Sequence, residues 1–348
     1  MNSSRKHWTL TALLLTSVFA WALSGCGTSG SKQPAAGDAA APAQGAGQTS
    51  EAKTTLEPKL RIGYISPNNK GTITGVEGWA QKKGYLESEL KKYGVTDVSV
   101  KSFPNGPNLN EALASGALDV GIYGDTPAIN ARAVGLKTKL INITQSGMNA
   151  WLVAKADGPQ KVEDLKGKKI ATADGSYMSR YLKGLLQEKG LDKDIKVVHL
   201  LPADGEAALA RGDIEAYAYP TGFGPLIISK GYKAIDEAKS HPDLRGSSVT
   251  VASEDYLSRN PGFVQVWNGV RQKAAKEIQS NADEFYKLYA ESSEFPLDVV
   301  KASFDISQWQ VEDFSADSLK LLEGTKKYLF DNGIIKKDFN LNDWIYKP

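Results

Sequence analysis

Cysteine is nearly missing from this chain: its 348 residues hold one, Cys26, beside three histidines. A single cysteine excludes an internal disulfide framework and any multi-cysteine metal cluster. His7 falls in an N-terminal leader, which leaves His199 and His241 for any chemistry in the folded part. No serine nucleophile elbow, P-loop or paired metal-ligand motif is present, so the chain reads as a binding protein, not an enzyme, with no metal or cofactor implied. Net charge is also scarce. The 42 Lys and Arg exceed the 40 Asp and Glu by two, which equals Arg5 and Lys6, because residues 1–25 contain no acid. Without a basic field the chain has nothing to hold nucleic acid.

What is there begins with an address. Arg5 and Lys6 precede an apolar run from Trp8 to Leu23, short for a bilayer span and suited to a secretory signal. The run ends in Leu23, Ser24, Gly25, Cys26, an order that resembles the lipobox of bacterial lipoproteins. That resemblance implies a signal peptide over 1–25 and a lipid on Cys26 holding the protein to a membrane. From Gly27 to Pro58 the chain is built mostly of Ala, Gly, Ser, Pro, Gln and Thr, with one late leucine and no aromatic residue. Such a segment buries too little apolar surface to offset the entropy of ordering. Residues 26–58 therefore read as a tether reaching roughly 30 Å.

The folded part is organised around Phe103 to Asn130, FPNGPNLNEALASGALDVGIYGDTPAIN. Leu109 to Ser115 predicts a short helix stopped by Gly116, and Asp119 to Tyr123 a buried strand. Gly124 then permits close backbone approach, Asp125 or Thr126 can cap a helix, and Pro127 suits a first helical turn. A helix opening at the carboxyl end of a parallel strand aims free N–H groups into the crevice there, which makes an anion site. The pattern returns 96 residues later: EALASGALDVGIYG at 111–124 aligns with AALARGDIEAYAYP at 207–220. Two similar α/β lobes facing each other across a ligand account for this repeat.

Strands are expected at Leu60–Ile65, Val98–Phe103, Leu140–Thr144, Trp151–Ala154, Ile170–Thr172, Lys196–Leu200, Ala216–Tyr219 and Val249–Ala252, separated by helices. Gln145–Asn149 reads as the first crossing between lobes and Arg245–Ser248 as the return. The boundaries that follow are 59–146 for lobe 1, 147–246 for lobe 2, and 247–348 for a return to lobe 1 with C-terminal helices. Phe263, Val266, Val270 and Ala274 mark an amphipathic face among those helices.

FPNGPNLNEAL at 103–113, ALDVGIYGDTPAINARAVG at 117–135, VEDLKGKKIATADGS at 162–176 and LLPADGEAALARGDIEAYA at 200–218 together resemble the substrate-binding proteins of ABC importers for aliphatic sulfonates, taurine and nitrate. Among the branches these segments look closest to the alkanesulfonate binders. The resemblance implies an α/β, type II periplasmic-binding-protein fold: two lobes with mostly parallel sheets and a ligand cleft between them. It implies an extracytoplasmic monomer that closes on a small organic anion and serves an ABC permease and its ATPase. One departure concerns the ligand. Where the family often carries Trp followed by Asp-Pro-Tyr, this chain has YPTGF at 219–223. Taurine, nitrate or a thiamin pyrimidine precursor are alternative ligands, the last drawing on Tyr177, Tyr219 and Phe223 as an aromatic lining, and a ligand sensor for a membrane receptor is an alternative role.

Carried over by position, the Gly124, Asp125, Thr126 loop and the Gly175, Ser176, Tyr177 loop should face the ligand. Their hydroxyls and N–H groups suit an oxyanion, although each hydroxyl serves equally as a plain helix cap. Arg180 lies one turn past Ser176 and could reach the same mouth. Asp125 would repel an anion unless it caps the helix or meets an amino group. Asn68, Asn105, Gln145 and Phe223 complete the candidates as rim and floor.

Overall fold

Short apolar strands, most of them followed by a helix, build two five-stranded sheets. The computed structural model describes residues 55–66 and 71–347; the leader, Cys26, residues 26–54 of the tether and Asn68 lie outside the described residues. In chain order the strands are β1 (Lys59–Ile65), β2 (Asp97–Phe103), β3 (Val120–Gly124), β4 (Thr138–Met148), β5 (Trp151–Ala154), β6 (Lys169–Thr172), β7 (Lys196–His199), β8 (Ala216–Tyr219), β9 (Lys233–Glu237) and β10 (Gly246–Ser253). The first sheet has the order β2-β1-β3-β10-β4 and the second β7-β6-β8-β5-β9.

Each sheet is mixed. β2-β1-β3 and β7-β6-β8 are parallel, whereas β10 runs antiparallel to β3 and β4, and β5 runs antiparallel to β8 and β9. The antiparallel members are the strands that lead the chain between sheets or receive it back, so their direction follows from the crossings. β5 and β8 are buried at every position, as strands covered by helices on both faces must be. The two aligned sequence segments occupy the same place: the helix Gly106–Ala114 precedes β3, the helix Pro202–Arg211 precedes β8, and each strand is third in its sheet.

The first crossing falls at the end of the expected Gln145–Asn149 stretch. β4 continues to Met148, because Gly147 at φ +77° is absorbed as a bulge: Ser146 pairs with Ser247 and Met148 with Gly246. A bulge bends a strand without ending its ladder. Asn149 then carries the chain across. Its amide donates to Glu237 at 3.0 Å, its Oδ1 accepts from Lys239 N–H at 2.7 Å, and its carbonyl accepts from Tyr177 Oη at 3.2 Å. The return passes through two short 3₁₀ turns, Ala238–Ser240 and Pro242–Leu244.

Four apolar clusters fill the two faces of the two sheets. Phe263, Trp267 and Ile278 of the long helix Phe263–Ser280 pack on Leu60, Ile62 and Tyr64. Leu322 and Leu329 of the helix Ala316–Asp331 pack on the opposite face against Ile143, Val249 and Val251. Tyr181, Leu182 and Leu185 cover one face of the second sheet, and Leu209 and Ile227 the other. The C-terminal segment also covers the free edge of β4, where Ile143 N–H donates to the carbonyl of Asp313 and Gln310 N–H to that of Thr144. Pairing of this kind removes a template for aggregation. Among the described residues no helix is long and apolar enough to cross a membrane.

Candidate functional site

The six parallel strands all end at one cavity. β1 is followed by Ser66, β2 by Pro104 and Asn105, and β3 ends in Gly124; β6 is followed by Ala173 and Asp174, β7 by Leu201 and Pro202, and β8 by Pro220 and Thr221, and all of these residues line a space of about 390 Å³. Each strand leads into a helix whose first turn meets the same space: Gly75–Lys82, Gly106–Ala114, Asp125–Ala133, Tyr177–Glu188, Pro202–Arg211 and Phe223–Ser229. Helix starts carry unpaired N–H groups and a partial positive charge. Six of them converging on one cavity make it hospitable to an anion without a formal cation. Among the described residues lining it there is no lysine, arginine or histidine.

The caps explain why these helices begin where they do. Asn105 Oδ1 accepts from Asn108 N–H at 2.9 Å, and Ser176 Oγ accepts from Ser179 N–H at 3.2 Å while donating to the Ala173 carbonyl at 2.5 Å. Each cap occupies one N–H of its helix start, that of Asn108 or Ser179, while the earlier N–H groups of a helix have no partner within it. Tyr177 stands at the crossing: its hydroxyl donates to the Asn149 carbonyl and accepts from Thr221 N–H at 3.0 Å. Burial pushes that phenol up to about 12.

The structure divides the sequence-derived candidates. Asn105, Gly124, Gln145, Ser176, Tyr177 and Phe223 line the cavity. Gly175, at φ +73°, is not among the lining residues; its α-carbon faces Pro107 of the opposite wall. Asp125 and Thr126 turn away from the space. Asp125 is fully buried, its Oδ1 accepting from Thr126 N–H and Oγ1 and its Oδ2 from Ser247 N–H at 2.9 Å and Thr325 Oγ1 at 3.4 Å. Burial raises its carboxyl, opposed by the positive charge of Arg180 and these hydrogen bonds. Arg180 is 1% exposed and donates to the carbonyls of Asp243 at 2.9 Å and Arg245 at 2.5 Å. It clamps the return crossing and reaches no ligand space. Tyr219, the third aromatic considered for the lining, stacks on Tyr217 at 4.2 Å inside the second lobe's core.

Much of the wall was not legible. Tyr289, Phe295, Phe304 and Trp309 come from the C-terminal segment, which covers the first sheet and then passes along the cleft. Gln145 marks how it gets there, since it bridges to Trp309 and donates to Gln308 at 3.1 Å. Phe295 packs edge-on against Phe223 at 5.4 Å and Ser303 Oγ accepts from Gly222 N–H at 2.9 Å, so this segment ties the two sheets together. Glu77 also lines the cavity and is buried. The signal for it was in plain view: an acid inside the apolar run Val76 to Ala80, at the third position of a helix.

A protein of Escherichia coli (strain K12) named as an aliphatic sulfonates-binding protein is 28% identical over 295 residues, which cover 83% of this chain and 89% of its own. A Bacillus subtilis (strain 168) protein of the same name is 29% identical over 268 residues, 76% of this chain and 80% of its own. The crystal structure of the periplasmic aliphatic sulphonate binding protein SsuA from Escherichia coli matches with a TM-score of 0.67 at 25% identity, covering 83% of this chain and 97% of that one. These relatives are binding proteins by name, and the two-lobe fold is shared with them. The family described as NMT1/THI5 like matches residues 78–284, which span five of the six strand ends at the cavity and more than half of the chain. The chain belongs to the NMT1/THI5-like family.

Proposed function

We propose that this protein is the extracytoplasmic solute receptor of an ABC importer, and that it captures a small organic oxyanion, an aliphatic sulfonate first, between two lobes. The convergence of six helix starts on one cavity, with no cation among the described lining residues, supports the oxyanion best. Aromatic walls suit the organic part of such a solute. In this reading residues 59–146 and 247–348 form one lobe and 147–246 the other. The ligand bridges them and favours the closed form by its differential affinity, which permease and ATPase then recognise. A lipid on Cys26 holds the monomer at the membrane through the 26–58 tether. A thiamin pyrimidine precursor is the second reading, favoured by the aromatic lining together with Glu77.

The test is thermal unfolding of a soluble form beginning near Thr54 against alkanesulfonates, taurine, nitrate, sulfate and thiamin pyrimidines. A ligand at a hundred times its dissociation constant stabilises by about 2.7 kcal/mol, a rise of roughly 5 °C for a chain of this size. A sulfonate is expected to give that rise and Ser176→Ala to reduce it. A rise with a pyrimidine alone would transfer the assignment to the second reading.

A further inference from the structure

One group on the cavity wall contradicts a simple anion site. Two carboxyl side chains line the space. Asp174 sits at the rim, its side chain 55% exposed and paired with Lys183 at 3.5 Å. Glu77 is different: it is 2% exposed, its Oε2 accepts from Thr144 Oγ1 at 3.2 Å, and its Oε1 has no hydrogen-bond partner among the described residues. A buried carboxyl oxygen left unpaired is costly, and a bare anion brought to the same cavity would raise that cost through repulsion.

The surroundings of Glu77 are aromatic on the cavity side. Trp309 packs on the first turn of the Glu77 helix, where a Cβ on Gly75 would meet its ring at 2.7 Å. The neighbouring Gln310 N–H donates to the carbonyl of Thr144, the residue whose hydroxyl holds Glu77. Tyr289 and Phe304 complete the group, with ring centroids 6.3 and 5.9 Å from Trp309 and 4.5 Å from each other, and all three rings line the cavity. A carboxyl that shares a cavity wall with three aromatic rings, out of water, suits a substituted ammonium group. Among the described residues the positive charge that opposes the desolvation of Glu77 is Arg271, which is committed to Asp313 at 2.7 Å and to the carbonyls of Gln310 and Val311.

We propose that Glu77, with Tyr289, Phe304 and Trp309, is a cation subsite, and that the solute carries a positively charged nitrogen as well as an oxyanion. The inference deepens the oxyanion reading and rests on it: helix starts take the oxyanion, and Glu77 takes the nitrogen. The ligand then supplies the counter-charge that the described wall residues do not provide. Burial holds the Glu77 carboxyl above its ordinary range, and a cation seated against Oε1 relieves that penalty.

Two isosteric pairs separate charge from shape by calorimetry: 2-aminoethanesulfonate against propane-1-sulfonate, and 2-(trimethylammonio)ethanesulfonate against 3,3-dimethylbutane-1-sulfonate. The nitrogen compound of at least one pair is expected to bind about ten- to a hundredfold more tightly than its carbon isostere. Glu77→Gln, nearly the same in size, is expected to abolish that preference. Trp309→Leu is expected to weaken the trimethylammonio compound most. Should either variant fail to fold, the two pairs on the unaltered protein still decide. Equal affinity within both pairs, or tighter binding of the carbon compounds, overturns the cation subsite while the oxyanion reading stands. If no sulfonate binds but choline does so in a Glu77-dependent way, the oxyanion reading falls and the cation subsite stands. Binding of neither class overturns both.

Discussion

Arg180→Met is expected to lower the unfolding free energy by about 3–5 kcal/mol, the range found when one partner of a buried charged network is removed. Arg180 is 1% exposed on the helix Tyr177–Glu188, and its guanidinium satisfies the carbonyls of Asp243 and Arg245 in the return crossing. Methionine keeps much of the volume but leaves both carbonyls unpaired, each at a cost of about 1–3 kcal/mol. The substitution also strips Asp125 of the cation that opposes its desolvation. Asp125→Asn removes that second penalty, so the double variant is expected to cost less than the sum of the two singles by about 1 kcal/mol. Urea unfolding of the four proteins measures the cycle. A loss below about 1 kcal/mol for Arg180→Met, the level of an exposed ion pair, would show that the clamp contributes little. Ligand affinity adds a second discrimination. Because Arg180 does not line the cavity, sulfonate binding by the folded variant should survive, whereas a role as ligand contact predicts its loss.

Gly222→Ala is expected to be the most damaging small substitution near the cleft, at about 2–4 kcal/mol. Gly222 has φ +80° and ψ −62°, a conformation that side chains avoid, and a Cβ there would lie 2.4 Å from the ring of Phe295. Its N–H is also held by Ser303 Oγ. The residue therefore joins the β8 turn of the second lobe to the segment returning from the first. Adding Phe295→Ala to Gly222→Ala should recover the steric part and leave the backbone strain. Melting curves of both variants separate the two contributions, and a ligand titration tests whether Phe223 keeps its place on the cavity wall. No change in melting temperature for Gly222→Ala would mean that the junction yields freely.

The elements that could be read from the chain were those whose causes are local. Gly84 and Gly94, both at positive φ, follow the helices Gly75–Lys82 and Tyr85–Lys92, as a glycine just past a helix end does. Asn105 and Ser176 cap because their side chains reach N–H groups three residues ahead, a relation visible in any sequence. The alternation of strand and helix, and the match between residues 111–124 and 207–220, sufficed for two lobes with corresponding strands. Within the expected crossing at Gln145–Asn149, pairing with β10 holds Gly147 as a bulge and extends β4 to Met148.

Candidate ligand residues separated along the same line. Gly124 and Ser176 line the cavity because the strand-to-helix turn alone puts them there. Asp125 and Arg180 belong to the same turns, but where a long side chain points depends on what packs against it. Asp125 found Ser247 and Thr325, and Arg180 found two carbonyls of the crossing; each of these partners lies more than sixty residues away in the chain.

By itself the sequence determined a pair of α/β lobes whose helix starts meet a common crevice, a consequence of local propensity, capping and period. Only the tertiary structure decided the chemistry of the wall. Glu77 and the rings of Tyr289, Phe304 and Trp309 come from segments over two hundred residues apart, and they meet because the C-terminal segment packs along β4 and continues past the cleft. Burial is a property of that meeting, so the unpaired oxygen of Glu77 exists only in the folded chain.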